Sequence, residues 1–115
     1  MAAEAPDAHS LALVQRFCDA LWLQDGLAKN TLAAYRRDLL LLAAWLRAQA
    51  DRGLAQAGEA DLLGYIAHRH AGSRATSTNR RLTVFKRFYR WALREHLVAS
   101  DPTLRIDAMT VGGTN

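Results

Sequence analysis

The chain has a single cysteine, Cys18, and only two prolines, Pro6 and Pro102, in 115 residues. A lone thiol cannot close an internal disulfide, and without a second Cys or clustered His it supplies no metal framework, so neither a metal nor a cofactor is expected. Long apolar runs are missing too. The nearest candidate, LLLLAAWL, is followed at once by Arg47 and falls well short of the roughly 20 residues that a membrane span needs. The opening MAAEAPDAHS is acidic and contains proline, unlike the basic-then-apolar order of a secretion signal, so a cytoplasmic address is expected. No glycine-rich phosphate loop is present, because Gly112-Gly113 sits in the tail. A nucleophile, a base and a charge stabiliser are not brought together either. His68 and His70 stand two apart, on different faces of a helix. His96 suits a helix C-terminus, where an imidazole meets the dipole, and Asp38, close after Arg36 and Arg37, reads as a partner within or between helices rather than a catalytic acid. No catalytic residue is assigned.

Acid is absent from one long interval. Between Asp61 and Glu95 there is neither Asp nor Glu, while Arg69, Arg74, Arg80, Arg81, Lys86, Arg87, Arg90 and Arg94 all fall there. These are more than half of the chain's 15 Lys and Arg, whereas the net charge of the whole is only +4. A block of this kind repels itself unless it is solvated or faces an anion, so it marks a solubilising surface or a polyanion-binding one.

Half of the residues are apolar, enough for one compact domain with a core. Helical periodicity dominates, and no stretch alternates convincingly like a strand, so the expected class is all-α, a small four-helix bundle. A first helix is expected from Ser10, its cap, to Gly26, with Leu13, Phe17, Ala20 and Leu21 facing inward. A second starts near Asn30 and carries Leu32, Tyr35, Leu39, Leu42 and Leu46 as one stripe, widened by Leu40, Leu41 and Trp45. The third, EADLLGYIAHRH, has Glu59 and Asp61 in its first turn. The fourth begins within ATSTNRRLTVFKRFYRW. It turns Leu82, Phe85, Phe88, Tyr89, Ala92 and Leu93 inward and Arg80, Thr83, Arg87, Arg90 and Arg94 outward, before Ser100-Asp101-Pro102 closes the helical region. Residues 1–9 read as a flexible leader, 10–105 as the domain, and 106–115 as a linker start or tail.

Both long helices begin alike. KNT before YRR, and ATST before NRR, place small hydrogen-bonding side chains and free helix amides beside arginines. That mixture suits duplex DNA: cations neutralise phosphates, small donors fix register, and a helix N-terminus favours an anion. Two alternatives stand beside it, simple N-capping by Thr76 or Ser77 and a basic helical module for a protein or RNA partner.

The stretches GLAKNTLAAYRRDLLLLAAWL (Gly26 to Leu46) and RATSTNRRLTVFKRFYRWALREHLVASDPT (Arg74 to Thr103) closely resemble the N-terminal core-binding, SAM-like domain of Xer-type tyrosine recombinases. The wording of the first leans toward the XerD branch rather than XerC. An equivalent domain of a phage or transposon integrase would share the fold. The resemblance implies one half of a clamp around double-stranded DNA, with the second and fourth helices toward the major groove. Carried over residue by residue, it implies DNA contacts by Lys29, Asn30, Thr31, Tyr35, Arg36 and Arg37. On the fourth helix it implies Arg74, Thr76, Ser77, Thr78, Asn79, Arg80 and Arg81, with Lys86 and Arg87 flanking on phosphates. In the family a separate C-terminal domain carries a tyrosine that attacks a DNA phosphate, without metal or nucleotide. The three tyrosines here, Tyr35, Tyr65 and Tyr89, lie in the wrong domain for that role, so the chain is expected to be inactive alone. The implied partners of a full-length parent are a XerC-like recombinase in a heterotetramer and a DNA translocase of the FtsK type, acting in chromosome-dimer resolution at cell division. The tail IDAMTVGGTN departs from the family's Pro- and basic-rich linker.

Overall fold

A computed structural model describes residues 5–70 and 75–107, the side chains of 70 and 75–77 excepted. Among them are four α-helices and no strand: α1 (Ala8–Ala20), α2 (Lys29–Ala50), α3 (Glu59–His70) and α4 (Ala75–Arg94). A π-helical turn follows α1 at Leu21–Asp25, and a 3-10 turn at Leu54–Gln56 precedes α3. The chain divides into two compact units, Met1–Ala55 and Gln56–Asn115.

In the first unit, α1 starts earlier than its sequence predicts, and its cap is Asp7, not Ser10. The Asp7 carboxylate accepts the Ser10 amide at 3.1 Å and the Ser10 hydroxyl at 2.6 Å. Ser10 is fully buried because its hydroxyl oxygen also accepts the Leu54 amide at 2.9 Å, fastening the segment after α2 to the start of α1. Gly53 completes the contact: a Cβ there would stand 3.1 Å from both Asp7 Oδ1 and Ser10 Oγ. Farther back, the carbonyls of Ala5 and Pro6 accept from Arg47 at 3.2 and 3.4 Å, so part of the expected leader is held against α2.

Burial raises the Asp7 carboxyl, but the Ser10 hydroxyl and amide outweigh it, and the group ends below its ordinary value. A depressed native pKa stabilises the fold above the unfolded value and is lost as pH falls through the native one. Asp7→Ala should therefore cost about 1 kcal/mol at neutral pH. Urea titrations of the two proteins should converge as pH drops below the ordinary carboxylate range, near 3.8.

The inward faces of α1 and α2 pack on each other through Leu13, Val14, Phe17, Cys18 and Leu21 on one side and Leu39, Leu42, Ala43 and Leu46 on the other. Gly26 at φ 63° ends the π-helical turn and Asp51 at φ 53° ends α2. Both are left-handed positions, free for glycine and tolerated by aspartate. The expected widening of the α2 stripe is partial, since Leu41 stays 41% exposed.

In the second unit, Asp61 in the first turn of α3 accepts the Gly58 amide at 2.9 Å, the reciprocal half of a capping box. Tyr65 of α3 meets Phe85 of α4 with ring centroids 6.0 Å apart, while Phe88 lies edge-on to Tyr89 at 4.9 Å. The inward face of α4 contains Leu82, Phe85, Phe88, Tyr89 and Ala92 as expected, plus Val84 and Trp91. Leu93 does not belong to it and is 40% exposed. The helix closes before the proline. His96 takes φ 61°, its amide bonds Leu93 O at 3.1 Å, and the Leu97 amide bonds Ala92 O at 2.8 Å, a Schellman closure. His96 thus closes α4 through its backbone. After it, Asp101 accepts the Thr103 amide and hydroxyl, and Lys86 donates to Thr103 O at 2.7 Å, folding the DPT turn back on α4.

Candidate nucleic-acid interface

The start of α2 has no side-chain cap at Ala28 and no acid in its first turn. Lys29 and Asn30 are exposed there and Thr31 is half-buried. One to two turns on, Arg36 and Arg37 are exposed, while Tyr35 is half-buried at the edge of the apolar stripe. Positive dipole, free amides and cations thus coincide at one helix end. Asp38, the only acid in the helix, is buried, which removes it from the same surface.

Arg36 is also tied sideways. Its Nη1 donates to Gln15 Oε1 at 2.7 Å, and Gln15 Nε2 donates to Asp19 Oδ1 at 2.9 Å. Gln15, Asp19 and Arg36 line a groove of about 360 Å³ with Cys18, Trp22 and Lys29. Burial pushes the Cys18 thiol upward, with Arg36 opposing it only in part, so it is a packed apolar group rather than a reactive one.

The α4 start likewise lacks acid in its first turn. Asn79 and Arg80 are exposed there, and so are Thr83, Arg90 and Arg94 farther along. Thr83 turns its hydroxyl back to Asn79 O at 3.1 Å. Other expected contacts are placed differently. Thr78 is 2% exposed and Arg81 8%, so both side chains are packed into the fold. Lys86 and Arg87 are half-buried, and the ammonium of Lys86 is engaged by Thr103. Arg74 lies outside the described residues, as do the side chains of Thr76 and Ser77. Periodicity had put Arg90 and Arg94 on the outward face, but the resemblance gave them no role in DNA binding. Gln15 carries no sequence signal, because it meets Arg36 only through folding.

No buried tyrosine of α3 or α4 is fitted to attack a phosphate. Tyr65 and Tyr89 are 2% and 0% exposed, and burial, with Asp101 and Asp61 nearby, pushes the Tyr89 phenol far above its ordinary value. Among the described residues no three His, Cys, Asp or Glu side chains gather into a possible metal site, and no helix is long and apolar enough to cross a membrane.

The sequence matches the family model described as phage integrase, N-terminal SAM-like domain, over residues 14–96. It is 62% identical over 94 residues to tyrosine recombinase XerD of Ralstonia nicotianae, covering 82% of this chain and 30% of that protein. The corresponding XerD of Pseudomonas aeruginosa is 46% identical over 101 residues, 87% of this chain and 34% of its own. That of Yersinia pestis is 42% identical over 92 residues, 79% and 30% respectively. The chain therefore spans about a third of the length of the curated relatives it matches.

Proposed function

The chain belongs to the phage integrase N-terminal SAM-like domain family, and we propose that it is the DNA-gripping domain of a XerD-like site-specific tyrosine recombinase. The observation that carries this reading is the acid-free, cation-bearing start found on both long helices, with Lys29, Asn30, Arg36 and Arg37 exposed on α2 and Asn79 and Arg80 on α4. Such surfaces bind the phosphates of duplex DNA and release its counterions. Lys29, Arg36, Arg37 and Arg90 are assigned to phosphates, Asn30 and Thr31 to register, and Asn79 and Arg80 to the groove, where Asn and Arg match adenine and guanine edges. Arg74, Thr76 and Ser77 are carried by the family likeness alone. Thr78, Arg81 and Lys86 support the α4 surface from behind and Arg87 reaches it only from its flank, while Tyr35 stands at the flank of the α2 surface.

Strand cutting and rejoining through a phosphotyrosine is assigned to a separate catalytic domain of a XerD-like protein, not to the residues of this domain. A XerC-like recombinase, an FtsK-type translocase, a cytoplasmic setting and a role in chromosome-dimer resolution complete the proposal. Arg80→Ala distinguishes a base contact from a phosphate contact. Reading a base, Arg80 should on removal cost about 1–3 kcal/mol on the recombination site and much less on random duplex. Equal losses on both would move Arg80 to the phosphate group.

A further inference from the structure

In the first unit, the Arg36 guanidinium has a built-in holder. A carboxylate only accepts hydrogen bonds, so Asp19 Oδ1 must receive the Gln15 Nε2 hydrogen at 2.9 Å. That fixes which way the Gln15 amide faces and leaves Oε1 to accept from Arg36 Nη1 at 2.7 Å. Gln15 and Asp19 are one helical turn apart on α1, in position to meet. The consequence is a neutral acceptor against the cation, with the carboxylate one side chain removed. Arg36 is oriented without being paired directly to a carboxylate, and its remaining N–H groups keep the fork that recognises a phosphate.

We infer that Gln15 is a positioning residue for DNA binding: with Asp19 behind it, it holds Arg36 ready beside Lys29 at the mouth of the α1–α2 groove. This rests on the proposed phosphate contact of Arg36. An ordered side chain loses less freedom on binding, which corresponds to about three- to ten-fold in affinity.

The test is duplex titration of the full chain over a salt series, with Gln15→Ala, Gln15→Glu, Arg36→Ala and the double variant Gln15→Ala/Arg36→Ala. Gln15→Ala should weaken binding about three- to ten-fold with the salt slope and thermal midpoint unchanged, since the charge remains and the contact is exposed. Gln15→Glu should weaken it further and lower the slope by about one, because the new carboxylate claims the guanidinium. In the Arg36→Ala background, Gln15→Ala should add nothing. An equal loss in both backgrounds overturns the positioning role, and so does no loss from Gln15→Ala where Arg36→Ala itself weakens binding. Duplex binding that Arg36→Ala leaves untouched overturns the Arg36 contact as well.

Discussion

Replacing Phe85 with alanine should destabilise the protein by about 3–5 kcal/mol, lowering the thermal midpoint by about 12–20 °C. Phe85 is fully buried, and its ring stacks in a tilted arrangement on Tyr65, the contact that fastens α4 to α3. Alanine removes the transfer energy of an aromatic ring and leaves a cavity that neighbours as rigid as Phe88 and Tyr89, both 0% exposed, cannot collapse to fill. On a total stability of about 5–15 kcal/mol that loss is a large share. Arg90→Ala on the exposed side of the same helix is the control and should change stability by less than about 0.5 kcal/mol. Paired thermal and urea melts measure both. A cost below about 1 kcal/mol for Phe85→Ala would mean that the aromatics of α4 are not its core side.

The second large effect is expected at the α2 start. Replacing Lys29, Arg36 and Arg37 together by alanine removes three exposed cations from one helix end whose first turn has neither a side-chain cap nor an acid. If each neutralises a phosphate, the salt slope of duplex binding should fall by about 0.9 per residue, and affinity near 0.1 M salt should drop by about two orders of magnitude or more. The fold should survive, because none of the three is buried and the α1–α2 core of Leu13, Phe17, Leu39 and Leu42 is untouched. Fluorescence anisotropy with a labelled duplex, beside a thermal melt of the same variant, separates lost binding from lost structure. An unchanged slope would show that α2 does not touch the phosphate backbone.

The helices were legible wherever one strong period ran long enough. The stripe of Leu39, Leu42 and Leu46 and the row of Leu82, Phe85, Phe88, Tyr89 and Ala92 stand buried where spacing put them. Ends were harder, because they are decided by contacts that spacing does not contain. Ser10 looks like a cap, yet it is the third helical residue, since Asp7 caps it and the distant Leu54 amide claims its hydroxyl. Leu93 fits the inward period but lies in the last turn before the left-handed His96, where the chain turns away and leaves it exposed.

At the site, the polar and basic character of both helix starts was readable, but not which members face out. Thr78 and Arg81 share a segment with Asn79 and Arg80, and only the burial of one pair and exposure of the other tells them apart. The link from Gln15 to Arg36 joins residues 21 apart on different helices, beyond the reach of any local pattern.

The central claim, that this domain grips duplex DNA through the cations of its helix starts, is tested most directly by titrating the unmodified chain with duplex DNA between about 50 and 200 mM salt. Several phosphate contacts predict an affinity that falls steeply and linearly on logarithmic axes across that range. Binding absent at the lowest salt, or binding that salt leaves unchanged, would contradict it.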